Sequence, residues 1–212
     1  MPAPALRTAL TFCLMTALGA CSAFGGKAAP EPAYEVVRAD GEFEIRDYPA
    51  LAIAATPMAD GQRAAFGRLF GYISGENKGT TEIAMTAPVL QSAEAGTGIA
   101  MTAPVLQSFG AVGEREMVFV LTDEYTAATA PEPADPNVRI AEIPPRRVAV
   151  YRFSGSFSDD AIADATETLQ QWISDQSLSP VGLPESAGYN PPWTLPPFRR
   201  NEVLIPIAAG AG

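Results

Sequence analysis

Two distant stretches of the chain carry the same pattern. Phe43 to Ala55 (FEIRDYPALAIAA) and Val138 to Arg152 (VRIAEIPPRRVAVYR) each read as a strand with acidic and apolar residues, a proline, a short turn and a second strand. They start at positions 43 and 138, an offset of 95, about half of the stretch from 34 to 207 that carries strand and helix patterns. Each is followed after several residues by a helical pattern. A β-β-α-β unit of this size cannot cover its own apolar face. The two halves must share one core. The sequence therefore predicts a single α+β domain over residues 34–207, built of two pseudo-twofold-related halves with one helix in each.

Alternating or β-rich runs predict strands at 34–37, 43–48, 51–56, 116–122, 138–143, 147–153 and 202–207. Twenty prolines and 18 glycines fit short strands separated by many turns. Helical patterns cover 61–74 and 159–175. The second is well marked. Ser158 can cap it, Asp159 and Asp160 suit its positive end, and Phe157 with Ile162 has the spacing of a hydrophobic staple. Ile162, Ala165, Leu169, Trp172 and Ile173 form one apolar face, which places Trp172 in the core. A shorter repeat is perfect: IAMTAPVLQS stands at 83–92 and again at 99–108. The connector AEAGTG between the copies predicts a hairpin, and Pro88 and Pro104 assign the far ends to edges or bulges. Recent duplication is an alternative origin, in which only one copy need sit in the main sheet.

The chain contains no histidine. Imidazole is the usual general base near neutral pH, the commonest metal ligand and the usual protein ligand to haem iron. Ser-His-Asp and Cys-His catalysis, His-based zinc sites and His-ligated haem are therefore excluded within one chain. With 14 Lys+Arg against 24 Asp+Glu, the net charge of −10 argues against nucleic acid as a partner. No nucleophile motif, phosphate loop or metal cluster stands out, so no enzyme and no metal site is expected.

Residues 1–20 read as a signal peptide. Arg7 is their only charge, and Ala9 to Leu18 is an apolar run too short to span a bilayer. Leu18-Gly19-Ala20-Cys21 resembles the lipobox of bacterial lipoproteins. The resemblance implies cleavage before Cys21, lipidation of its sulfur and acylation of the new N-terminus. Two or more acyl chains hold a protein stably on a bilayer. Ser22 after the cysteine implies the outer membrane by the same resemblance, with the chain lipid-anchored in the bacterial cell envelope and facing the periplasm. A plain secretory signal with a cysteine near the cut is the bland alternative. Cys13 leaves with the signal peptide. Residues 21–33 read as a flexible tether and 208–212 as a disordered tail.

Several longer stretches resemble the SOUL haem-binding family. They are AFGRLFGYISGENK (65–78), the MTAPV copies, DPNVRI (135–140), RRVAVYRFSG (146–155) and AGYNPPWTLPPFRRNEVLI (187–205). The resemblance covers nearly all of 34–207. It implies a distorted antiparallel β-barrel of two related halves, each with one helix. It also implies haem or another porphyrin as a non-covalent cofactor. Some members are described as ligating the iron through a His, which is absent here. Others hold the ring in a shallow apolar groove on the first helix, with basic residues reaching the propionates. Only that second mode applies. A similar fold occurs in bacterial effector-binding domains that take up bulky hydrophobic compounds.

At about 100° per residue, the first helix gathers Tyr72, Ala65, Leu69, Ile73, Phe66 and Phe70 on one arc, the core stripe. Arg63, Ala64, Gly67, Arg68, Gly71 and Ser74 take the other. Each interior glycine costs about 1 kcal/mol relative to Ala. Gly67 and Gly71 supply either a flat strip for a planar ring or room for a closely packed backbone segment. Phe66 and Phe70 border the strip, and Arg63 and Arg68 offer positive charge. Arg63 falls where the resemblance implies a propionate-contacting Arg; a second basic position on that helix corresponds to Gly71. Tyr189, in the Pro-rich loop 188–197, is the more open tyrosine for a phenolate ligand, although GYNPPW also reads as a rigid turn whose Tyr and Trp cover the barrel. Tyr72, Met85, Met101 and Met117 read as core. Arg199-Arg200-Asn201-Glu202 reads as a polar rim at the groove or as a weak, solvated ion pair at a strand start. The function these readings favour is a lipid-anchored envelope protein binding haem or a similar planar hydrophobic molecule without His ligation. The alternative is a structural or partner-binding envelope lipoprotein that keeps the fold and has lost the ligand.

Overall fold

The structure, a computed structural model, describes residues 31–78, 105–109, 115–190 and 193–209. The signal peptide, Cys21, the tether up to residue 30, the first IAMTAPVLQS copy, Met85, Met101 and the last three residues lie outside the described residues.

The elements in chain order are β1 (Glu35–Asp40), β2 (Phe43–Tyr48), β3 (Leu51–Pro57), α1 (Gln62–Ile73), β4 (Val105–Phe109), β5 (Arg115–Val120), β6 (Arg139–Ile143), β7 (Arg146–Phe153), α2 (Asp159–Asp175), β8 (Glu185–Gly188) and β9 (Asn201–Pro206), with a 3-10 turn at Pro196–Phe198. α2 spans the predicted residues, and Ser158 caps it by accepting from the Ala161 N–H. α1 is held differently. Its N-cap is Gly61, no side chain caps it and its first turn has no acid. Packing of Ala65, Leu69, Tyr72 and Ile73 stabilises it instead. β8 is ESAG, four small or polar residues without a strand signal.

The strands form one sheet in the order β1-β2-β7-β9-β8-β4-β5-β3-β6, with every pair antiparallel. This order expresses the sequence repeat. β2 and β3 correspond to β6 and β7. β2 pairs with β7 and β3 with β6, so each half lends its first repeat strand to the other. β5 flanks β3 as β9 flanks β7, and β4 meets β8 in the middle. The VLQS end of the second IAMTAPVLQS copy is therefore central, between β5 and β8, and not an edge as Pro104 suggested.

Residues 49–50 join β2 to β3, and 144–145 join β6 to β7. Each connector spans only about 10 Å, yet each joins strands six places apart in the sheet. The sheet must curl until its flanks approach. It does not close into the expected barrel. β1 pairs along the free side of β2, the side on which a closing β6 would have to bond, and β1 and β6 remain as edges.

Period-two alternation divides the side chains between two faces. Leu51, Ile53, Val118, Val148, Val150 and Leu204 fill the inside of the curl. Ala54, Met117 and Phe119 face outward beneath α1. Ala149, Val203 and Ile205 face outward beneath Leu169 and Trp172 of α2. Trp172 also stacks on Phe43, with ring centroids 5.1 Å apart.

Candidate functional site

α1 rests mainly on β3 and β5, and its far side faces away from the sheet. Arg63, Phe66, Gly67 and Phe70 lie there at spacings of three and four, which makes them neighbours on a helix surface. Phe66 and Phe70 are 40% and 49% exposed, although the helical wheel assigns both to the core stripe. The apolar arc of α1 is wider than the two strands beneath it can cover. The two rings lie 13° from parallel with centroids 5.9 Å apart. Phe119 steadies Phe66 from below, edge-on at 5.5 Å.

The two glycines differ. A Cβ on Gly67 would meet nothing within 4 Å, so Gly67 is a bare spot on the surface and not a close-packing site. Gly67→Ala is expected to raise stability by about 1 kcal/mol through helix propensity alone. Equilibrium denaturation checks this, and a loss of stability would reveal a contact that the open surface does not show. Gly71 is buried, and a Cβ there would come 2.5 Å from Glu76 Oε2. A carboxylate thus covers the position where the resemblance implied a second cation.

The two arginines also separate. Arg68 turns back to the β3–α1 corner. Its Nε donates to Thr56 Oγ1 at 2.8 Å, Nη2 to the Pro57 carbonyl at 2.6 Å and Nη1 to Asp60 Oδ2 at 3.3 Å. It braces the helix start that lacks a cap and does not face the aromatic pair. Arg63 is exposed and, among the described residues, is the one Lys or Arg without a hydrogen-bond or carboxylate partner.

Tyr189 does not join this group. It follows β8 and continues the inward alternation of Ala187, so it is buried inside the curl, across the sheet from α1. Its OH donates to Glu202 Oε2 at 2.6 Å. Burial first, then the Glu202 charge, pushes the phenol well above its usual range, which keeps it protonated. Tyr72 is pushed up to about 12 by burial and by Tyr125, and its OH donates to the Pro131 carbonyl at 2.9 Å. Met117 is buried in the core. Trp193, expected to cover the sheet, is 78% exposed. Among the described residues no group of three or more His, Cys, Asp or Glu side chains could hold a metal.

A buried polar cluster stands where the sequence predicts a polar rim or a solvated ion pair. Glu202 is 0% exposed and lies on the inner face, neither at the rim of the α1 face nor in water. Arg46, 1% exposed, donates to both its carboxylate oxygens at 2.8 and 3.0 Å, and its Nε to Glu44 Oε2 at 2.6 Å. Arg200 donates to Glu202 Oε1 from Nε and Nη2 at 2.9 and 2.7 Å, and from Nη1 to Glu31 at 3.0 and 3.1 Å. The result is a chain of alternating charge, Glu44–Arg46–Glu202–Arg200–Glu31. Burial pushes the Glu202 carboxyl up, but the hydrogen bonds and charges of Arg46 and Arg200 outweigh this and hold it below its ordinary value. The sequence signal was available in the alternation of β2, where Glu44, Arg46 and Tyr48 share the face opposite Ile45.

The sequence matches the family model described as SOUL heme-binding protein over residues 29–206. The chain belongs to the SOUL family. Membership supports a haem- or tetrapyrrole-binding role in general, in a family that binds haem and is not a known enzyme family. No curated protein matches the chain. Among solved structures, this SOUL domain is similar to the EcmrR C-terminal domain, with a TM-score of 0.52 and 11% identity over 82% of this chain and 97% of that one. It is also similar to EcmrR in its complex with DNA, with a TM-score of 0.53 and 12% identity over 78% of this chain and 56% of that one. At such identities they show the fold alone. A hydrolase from Listeria innocua, at a TM-score of 0.48 and 9% identity over 85% of this chain and 94% of that one, carries no argument about activity. The α1 face fits one part of a haem and not another: two flat rings, a bare glycine and an unpaired cation suit a porphyrin and a carboxylate, while no side chain there suits iron.

Proposed function

We propose that this SOUL protein binds haem or a similar tetrapyrrole on the outer face of α1, through the ring and one propionate, without a protein ligand to iron. The observation that carries this reading is Arg63, a cation without a partner beside Phe66, Phe70 and the bare surface of Gly67. One face of the porphyrin would cover the two phenyl rings and remove apolar surface from water. Arg63 would pair with a propionate, an exposed contact of at most about 1 kcal/mol. Glu76 over Gly71 would repel a second propionate, so the ring is held from one side. The mature protein would act from the cell envelope, anchored by lipid on Cys21 and facing the periplasm.

Haemin and metal-free protoporphyrin titrated into the full chain test this. Both are expected to bind with similar affinity, without a low-spin iron spectrum. Arg63→Glu replaces an attraction with a repulsion and is expected to weaken both about tenfold, or about 1.4 kcal/mol. Far tighter haemin binding with a low-spin spectrum would mean a protein ligand to iron and overturn the mode. An unchanged affinity in Arg63→Glu would remove Arg63 from the site. A second reading, a partner-binding lipoprotein that no longer takes a tetrapyrrole, is favoured by Glu76 standing at the second cation position and by Arg68 being tied back. Absence of saturable binding to either porphyrin would select it. Intact mass of the membrane-extracted protein tests the anchor, with a chain starting at acylated Cys21 expected.

A further inference from the structure

We propose that the segment Trp193–Phe198 is a membrane-contact loop that lies against the same lipid surface as the Cys21 anchor, an inference that rests on the lipoprotein reading. Trp193, Leu195 and Phe198 are 78%, 56% and 46% exposed, three large apolar side chains within six residues. WTLPPF contains no charge. Leu195 stands at the N-terminal boundary of the 3-10 turn Pro196–Phe198 and Phe198 is its last residue. The loop is preformed. The Gly155 N–H donates to the Pro196 carbonyl at 2.9 Å, the Phe198 N–H to the Leu195 carbonyl at 2.9 Å, and Arg199 Nε to the Thr194 carbonyl at 2.8 Å. Apolar side chains on a fixed backbone lose little conformational freedom on contact. An indole beside Leu and Phe suits the bilayer interface, where one end of the ring is apolar and the other wet.

The path of the N-terminus selects lipid as the occupant. Glu31 is clamped by two hydrogen bonds from Arg200, two residues beyond Phe198. Cys21 lies ten residues before Glu31, which limits the distance between them to about 35 Å. A lipid on Cys21 would therefore keep Glu31, and the loop beside its Arg200 partner, within about 35 Å of the bilayer. The net charge of −10 disfavours anionic lipid, so the surface is a zwitterionic one. Among the described residues no helix is long and apolar enough to cross a membrane, so contact would rest on the anchor and on such a loop.

The test uses the full chain, with mass spectrometry first establishing whether Cys21 is acylated. In phosphatidylcholine vesicles containing brominated lipid, Trp193 fluorescence is obtained as the difference between the wild-type chain and Trp193→Phe. The proposal expects a blue shift and quenching by the brominated lipid. An acylated chain whose Trp193 emission stays water-like and unquenched overturns the loop while leaving the anchor intact. If Cys21 is not acylated, the anchor reading fails and the loop is judged on vesicle binding alone. In a Cys21→Ser chain, Leu195→Asp with Phe198→Asp is expected to lower partitioning onto phosphatidylcholine about tenfold. Partitioning that does not change overturns the proposal. A blue shift that grows with protein concentration in the absence of vesicles would assign the loop to a second copy of the chain and also overturn it.

Discussion

Glu202→Gln is expected to destabilise the domain by about 3 kcal/mol, read from equilibrium denaturation. Glu202 is the middle of the five-member charge chain and the acceptor for Arg46, Arg200 and Tyr189. Removing one partner of a buried ion pair commonly costs about 3–5 kcal/mol, because a charge is left in a poorly polarisable interior. The low end applies here, since Arg46 keeps Glu44 and Arg200 keeps Glu31. A cost below about 1 kcal/mol for Glu202→Gln would show that water reaches the cluster. The same change alters the pH dependence. Glu202 is held below its ordinary value of 4.5 in the folded state. The unfolded chain therefore takes up the proton first as the pH falls. Its contribution is complete above that ordinary value and is lost as acid carries the pH down through the folded pKa. Glu202→Gln should flatten the acid limb of the stability profile.

Phe66→Ser combined with Phe70→Ser is expected to weaken porphyrin binding about thirtyfold, or about 2 kcal/mol. Each phenyl is 40–49% exposed in the free protein, so roughly half of each ring is available for a ligand to cover. Covering half of a phenyl is worth about 1 kcal/mol. Fluorescence quenching titrations with metal-free protoporphyrin read this without interference from iron. Phe66→Ser also loses its edge-on contact with Phe119, so Phe70→Ser alone separates ligand loss from any loss of packing. An affinity that survives both changes would place the ring elsewhere on the molecule.

Much of the architecture was legible because periodicity reports the faces of local elements. α2 was readable to its ends from Ser158, two aspartates and a regular apolar face. The repeat at an offset of 95 residues indicated two related halves, and the structure joins them by pairing β2 with β7 and β3 with β6. β8 was hidden because ESAG has neither β-branched nor aromatic residues to mark a strand. The barrel was overstated because a repeat of strands says nothing of an extra one, and β1 occupies the edge that closure requires. Within the site, Arg63 and Gly67 are open to solvent, while Gly71 and Arg68 are not. Those four residues share one arc of a helical wheel and differ only in what the rest of the chain places over them. Tyr189 sat in a Pro-rich segment that reads as a loop, yet it continues the inward alternation of β8.

By itself the sequence determined the two halves, the two helices, the family and the absence of any imidazole. The halves, the helices and the missing imidazole are properties of composition or of spacing along the chain, and the family rests on the match of long stretches to its model. Only the tertiary structure decided that Glu202 and Arg46 lie buried inside the curl, that Phe66 and Phe70 are left exposed and that Arg63 is the one Lys or Arg among the described residues without a hydrogen-bond or carboxylate partner. The physical reason is common to all three. Periodicity states which side of an element is apolar, but burial and pairing depend on which neighbour lies against that side. That neighbour comes from a segment 156 residues away for Arg46 and Glu202, a separation no local pattern encodes.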